Sequence, residues 1–348
     1  MKSPFKTAIG RNAIAVFIGC FISVLTVIII DKTFGWSMNI KVSKSDFFPK
    51  TDDTIGLGWG PGIGHKEKLK RNADGYSITH RDVVGDEVIF DVTYNFDKLY
   101  RRRVPGATGN NPDEFIIFFG GSQTFGEGLN DEDTIPALVQ KNTASHRVYN
   151  YAYKGYGPHQ MLRKLETRTL QDEVPEKRGM AFFQYFSFHL QRVLGTMSYI
   201  SWAGGGAPYY HINRSDQLEY SGAFATGRFF KTLLYWVLGK SAIAKYYRVE
   251  LPAKLDNQDY ELVCRVIAQS RNEFTDQYPG SRFIVIIGMT SDRNDTIAEQ
   301  CLVPHNIDYV DMRSIYKNGA DLQFPHNGHF TPKAAQLIAQ QLIPLVNK

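Results

Sequence analysis

The apolar run Glu114-Phe115-Ile116-Ile117-Phe118-Phe119 passes straight into Gly120-Gly121-Ser122-Gln123-Thr124-Phe125-Gly126, and no other stretch constrains the fold as tightly. A continuous apolar segment of strand length, closed by two glycines and followed by a capped helical pattern, is how an α/β fold presents a hydroxyl at the carboxyl edge of its sheet. Glycine lacks a Cβ, so the backbone can turn sharply there and approach a substrate closely. Ser122 is the candidate nucleophile. A plain Gly-Ser turn after a buried strand is the alternative, and this segment alone leaves both open.

The rest of the chain has a matching rhythm. Strand patterns near 114–119, 147–151, 180–186, 282–287 and 307–311 alternate with helical patterns near 133–143, 158–171, 257–277, 292–301 and 332–346. Strands that are apolar throughout argue for a parallel sheet covered on both faces. The expected fold class is α/β, a three-layer α/β/α arrangement with a parallel five-stranded sheet. Residues 46–112 read as a small β-rich extension, with Val88 to Tyr94 as one strand and Tyr76 to His80 as a second able to pair with it. Residues 195–250 break the rhythm and read as an aromatic-rich insertion over the active edge. Its apolar run Phe229 to Leu238 is too short to span a bilayer. Such an insertion can stack sugar rings, touch lipid, or be plain core.

A serine nucleophile needs a base, and the far end of the chain offers one. Phe324-Pro325-His326-Asn327-Gly328-His329-Phe330-Thr331-Pro332 precedes the apolar helical pattern Ala334 to Val346. A histidine on the loop before a final helix can be brought beside a distant serine by the fold. Taken alone, His329 reads equally as a histidine of a surface loop.

With Gly-Gly-Ser-x-Thr-x-Gly after the first sheet strand, Asn150-Tyr151-Ala152-Tyr153-Lys154-Gly155 after the second, and the late histidine block, the chain resembles the SGNH/GDSL hydrolases from about Glu114 to its end. The resemblance implies ester chemistry through an acyl-enzyme, without metal or cofactor. It implies Ser122 as nucleophile, His329 as base, and the Gly155 backbone N–H beside that of Ser122 in the oxyanion hole. The sequence departs from the pattern twice. Asn327 stands where the family has aspartate two residues before the histidine; it can accept a hydrogen bond from the ring and orient it without supplying charge, and Asp321 or Asp311 is the alternative carboxylate. No asparagine follows the strand Met180 to Tyr185, which leaves His189 or Gln184 as candidate side-chain donors to the oxyanion.

The compartment is read from the N-terminus. Ala13 to Ile30 carries no charge and is nearly all apolar, close in helical length to a bilayer core. Lys2, Lys6 and Arg11 precede it without an acid, so a membrane helix there has its N-terminus in the cytoplasm and the main domain periplasmic or extracellular. Residues 1–31 thus read as tail and transmembrane helix, 32–112 as linker and β-rich extension, and 113–348 as the hydrolase-like domain. Cys264 and Cys301 read as free buried thiols rather than a bridge. The spacing His326-x-x-His329 is not a metal signature. A net charge of +5, spread along 348 residues, gives no reason to expect nucleic acid as a partner. Arg101-Arg102-Arg103, the one dense basic run, reads as a solvated hairpin end. An acylated glycan of the cell envelope is the expected substrate, with lipid esters next. The reading from another class is a degenerate domain that binds glycan or scaffolds an envelope assembly.

Overall fold

The computed structural model describes residues 23–41, 70–106, 112–288, 295–318 and 321–347. Residues 23–37 form helix α1. The segment expected to cross a membrane, 13–30, lies partly outside the described residues, and its remainder is the first half of α1. Among the described residues no helix is long and apolar enough to cross a membrane.

Strands β1 (Lys70–Asn72), β2 (Gly75–Val84) and β3 (Glu87–Asp97) form an antiparallel sheet in chain order. The main sheet holds β4 (Glu114–Phe119), β5 (His146–Asn150), β6 (Arg178–Tyr185), β9 (Arg282–Ile287) and β10 (Asp308–Asp311), and a separate hairpin joins β7 (Pro208–Ile212) to β8 (Leu218–Ala223). The five main strands are all parallel, in the order β10-β9-β6-β4-β5. Each expected strand of the main sheet forms within two residues of its expected bounds, because apolar side chains on both faces leave such a segment no half-exposed alternative.

Among the described residues eleven further α-helices follow α1: α2 (Ser122–Phe125), α3 (Ile135–Lys141), α4 (Pro158–Glu166), α5 (Leu170–Glu173), α6 (Phe188–Leu194), α7 (Met197–Ala203), α8 (Phe224–Gly227), α9 (Phe229–Leu238), α10 (Ala242–Tyr246), α11 (Asn257–Gln277) and α12 (Pro332–Val346). The period of two along β4 sorts its side chains. Phe115, Ile117 and Phe119 pack with Leu162 of α4 and Ile267 of α11, whereas Ile116 and Phe118 pack with Val139 of α3 and Ile338 of α12. Both faces are covered. From β4 the chain moves outward to β5, then returns to β6 on the other side, so the carboxyl end of β4 is the switch point where open α/β sheets form their crevice.

The extension is docked onto this crevice. Phe90, Val92, Tyr94 and Phe96 of β3 bury their side chains against Phe125 and Ala152, with Phe324 packed at the edge. Each such side chain contributes about 1.5–3 kcal/mol on burial, enough to hold strands that would be marginal alone. The basic run that read as a solvated hairpin end is the seam of this docking. Arg102 is fully buried: its guanidinium donates to the carbonyls of Phe125, Gly126 and Leu129 and to Asp131. Arg101 pairs with Asp97, and only Arg103 stays largely in water. Carbonyls left unpaired at the end of α2 need donors, and Arg102 supplies them.

The insertion also differs from expectation. Its aromatic residues build a core of their own, with Tyr199, Ile200, Phe224 and Tyr235 at its centre, and its contacts run to α4 and α11 on one flank of the sheet. Cys264 and Cys301 are buried and unbridged.

Candidate active site

Ser122 is the first residue of α2, a single helical turn that starts directly beyond β4. A Cβ on Gly120 would lie 2.2 Å from Thr124 Oγ1, so only glycine lets the turn close this tightly. Gly126 ends the turn in the left-handed region at φ 84°. The loop after β5 is tied to the serine loop where the Tyr153 N–H donates to Gly120 O at 3.2 Å. Gly155 lies two residues further on, at φ 82°.

The histidine loop arrives from the other side. Thr331 caps α12 by accepting the Ala334 N–H, with Pro332 in the first turn. Just before it the chain reverses, with His326 at φ 60° and Gly328 at φ 79°. Gln123, the neighbour of the serine, clamps this loop: its amide donates to Gly328 O at 3.0 Å, and its side-chain oxygen accepts the Phe330 N–H at 3.0 Å. The clamp sets His329 Nε2 2.8 Å from Ser122 Oγ, across 207 positions of sequence.

Behind the histidine lies a relay. Asn327 Oδ1 accepts from His329 Nδ1 at 2.5 Å and from the His329 backbone N–H at 3.2 Å. The amide nitrogen of Asn327 donates to Asp82 Oδ2 at 2.6 Å. An asparagine amide can face either way, but the Asp82 carboxylate fixes this one, since it accepts hydrogen bonds and cannot donate. With the oxygen held toward the ring, Nδ1 carries the proton and Nε2 is free to act as base. Asp82 sits at a bulge: the register with β3 shifts between Asp82 and Val83, and a bulge re-aims the side chain at its position.

A second carboxylate stands on the open side. Glu127 Oε2 is 3.2 Å from His329 Nε2, and Lys154 Nζ bonds the other Glu127 oxygen at 2.5 Å. Burial draws the His329 imidazole below its ordinary pKa; Glu127 and Asp82 oppose that fall, while Lys154 and Arg192 deepen it. The ring is therefore neutral near neutral pH, as a general base requires.

The structure brings Ser122, His329 and Asn327 together and leaves other candidates out. His189 is fully buried. Its Nδ1 accepts from the Phe186 N–H at 3.2 Å, and its Nε2 lies against Gly121 of the serine loop, shielded from the surface. Burial holds its pKa well below the ordinary value, so it is a neutral ring packed under the loop. The expectation that His189 donates to the oxyanion is corrected accordingly. Gln184 is also buried, with its oxygen accepting from Thr124 Oγ1 at 2.7 Å. Asp321 pairs with the exposed Lys333, and Asp311 with Arg313, so neither carboxylate serves His329. Arg192, beside His189, donates to Tyr156 O at 2.5 Å and steadies the loop that carries Gly155.

Sequence reasoning missed Asp82, Gln123, Glu127 and Lys154. Gln123 and Glu127 were within reach, since both belong to the serine segment itself. Asp82 carried no signal: it lies in a half-exposed strand, 245 positions from Asn327.

No family model matches the chain, and no curated protein does. Solved structures do. A member of the lipolytic G-D-S-L family from Veillonella parvula is 12% identical over 68% of this chain and 99% of its own, at a TM-score of 0.39. The psychrotrophic esterase EstA from Pseudoalteromonas sp. is 11% identical over 67% and 96%, at 0.37. An acetyl xylan esterase, Est2A, from Butyrivibrio proteoclasticus is 9% identical over 67% and 63%, at 0.39. Superpositions this loose assign nothing to individual residues of this chain.

Proposed function

We propose that this chain is a serine ester hydrolase or O-acyltransferase of the SGNH type, held at a membrane by its N-terminal segment with the catalytic domain outside the cytoplasm. One observation carries the reading: the unbroken series Ser122 Oγ, His329, Asn327 and Asp82, with successive gaps of 2.8, 2.5 and 2.6 Å.

In this reading Ser122 Oγ attacks the acyl carbon while its proton passes to His329 Nε2. The imidazolium so formed is stabilised by Asp82 through the Asn327 amide and directly by Glu127. The backbone N–H groups of Ser122 and Gly155 serve the oxyanion. Collapse expels the alcohol, which takes the proton from Nε2 and leaves the acyl group on Ser122. Water or a sugar hydroxyl then attacks the acyl carbon, its proton going to the same nitrogen, and the acyl–Ser122 bond breaks as Nε2 returns that proton to Oγ. Hydrolysis and transfer share this intermediate and differ only in the acceptor. The apolar N-terminal segment and its basic flank support envelope glycan esters as the substrate class, ahead of lipid esters.

A competing reading, a glycan-binding domain without turnover, is favoured because, among the described residues, His189 and Gln184 are both buried away from the surface of the site. A fluorophosphonate probe separates the two. Ser122 becomes labelled in the wild type, Ser122→Ala abolishes labelling, and His329→Ala slows it by orders of magnitude. A wild-type protein that stays unlabelled from mild acid to mild base would leave only the binding reading.

A further inference from the structure

The insertion leaves one apolar face uncovered. Phe230, Leu234 and Val237 of α9 follow one another at helical spacing and are all exposed, Phe230 to 84%. Tyr246, Tyr247 and Val249 extend the patch just beyond, with Tyr247 69% exposed. Between Phe224 and Val249 the chain carries Arg228, Lys231, Lys240, Lys245 and Arg248 and not one acid. Apolar and aromatic residues flanked only by cations have the composition of a surface that lies in a lipid headgroup layer.

The chain itself ties this face to the membrane-directed segment. Asp31 in α1 accepts from Ser241 Oγ at 2.7 Å and from the backbone N–H groups of Ala242 and Ile243 at 3.1 and 3.0 Å. Gly35 of α1 lies so close to α10 that a Cβ there would be 2.7 Å from that of Ala242. Phe34 packs edge-on against Tyr246, at 5.3 Å between ring centres. Residues 24–30 immediately before this junction are exposed and, Thr26 aside, apolar, and Trp36 at it is 86% exposed.

We infer that the α9–α10 face is a docking surface for an anionic lipid bilayer, laid on the headgroups beside the point where the N-terminal helix leaves the membrane. The inference rests on reading residues 13–30 as an anchor. The catalytic domain is then held in one orientation rather than swinging on a tether, with α9 inserted to headgroup depth and Lys231 and Lys245 placed at lipid phosphates.

The test uses the full chain in vesicles of phosphatidylethanolamine with a minority of phosphatidylglycerol. A spin label is placed through Phe230→Cys, and in a second sample through Asn347→Cys at the end of α12, which packs on the opposite face of the sheet from the insertion. Collisions with oxygen, relative to a water-soluble nickel chelate, are expected to be at least about fivefold more frequent at 230 than at 347, as for a residue at acyl-boundary depth. The double charge reversal Lys231→Glu/Lys245→Glu should cut that ratio while leaving hydrolysis of a small soluble ester unchanged. Equal ratios at 230 and 347, in a chain that resists carbonate extraction, would overturn the docking face and leave the anchor standing. If carbonate releases the chain, the anchor reading fails; the face then survives only if the 230 label is still lipid-exposed at neutral pH.

Discussion

In the proposed mechanism Asp82 and Asn327 share the part that one aspartate plays in a conventional triad, and the division has measurable consequences. A unit charge acting through an intervening amide, roughly 6 Å from the ring, is worth about 2–3 kcal/mol at the effective dielectric of a protein surface. Asp82→Asn should therefore lower kcat/KM by about 10- to 100-fold. It should also shift the pH profile, because removing a negative charge favours the neutral ring. The sign follows from the base role: activity is lost as pH falls through the His329 pKa, so the acid limb moves to lower pH in Asp82→Asn and in Glu127→Gln. In Lys154→Met it moves the other way. Asn327→Asp alone sets two carboxylates against each other, forces one to keep a proton, and should not improve on the wild type. The swap Asp82→Asn/Asn327→Asp restores a single charge at the ring and should recover most of the rate lost in Asp82→Asn. Steady-state profiles of the five variants decide the matter; a swap no better than Asp82→Asn would reduce Asp82 to a packing residue.

At the scale of elements, the buried guanidinium of Arg102 joins the β1–β3 sheet to the serine turn. Removing one partner of a buried charged network leaves the other uncompensated, at a cost of about 3–5 kcal/mol. Arg102→Leu should lower the midpoint of thermal unfolding by roughly 10 °C and inactivate the protein by loosening Gly126 and Leu129, whose carbonyls it holds. Arg102→Lys, with fewer donors and no planar fork, should fall between. Calorimetry and ester turnover on the same samples check both. This element also shows where a sequence stops being legible. The five main strands were readable because apolar runs buried on both faces admit few alternatives. Three consecutive arginines read as solvent-facing because charge is rarely buried without partners, and the partners here are carbonyls that no sequence pattern displays. Ser122 and His329 stood out because their chemistry is concentrated in short glycine-marked loops. Asp82 did not, since its role exists only once β2 lies across the histidine loop. His189 misled because it follows a strand at the right place and then turns inward, a matter of packing rather than spacing.

For the whole molecule, the proposed membrane anchor and its orientation are the features to verify. Lys2, Lys6 and Arg11 before the apolar segment favour a cytoplasmic N-terminus. A reporter enzyme fused after Lys348 should be active only in a form that requires export, and protease added to spheroplasts should digest the main domain. A protected domain would reverse the orientation and remove envelope esters as substrates.

The Asp82 carboxylate reaches Asn327 only while Phe90, Tyr94 and Phe96 stay seated against Phe125 and Ala152. Rate is thus a gauge of docking as well as of chemistry. Conditions that loosen this aromatic seam, such as low concentrations of denaturant, should slow turnover while the parallel sheet is still intact. Inactivation would then precede unfolding, and a preparation trimmed to begin near Pro112, lacking Arg102 as well as Asp82, would retain its serine and histidine yet be inactive.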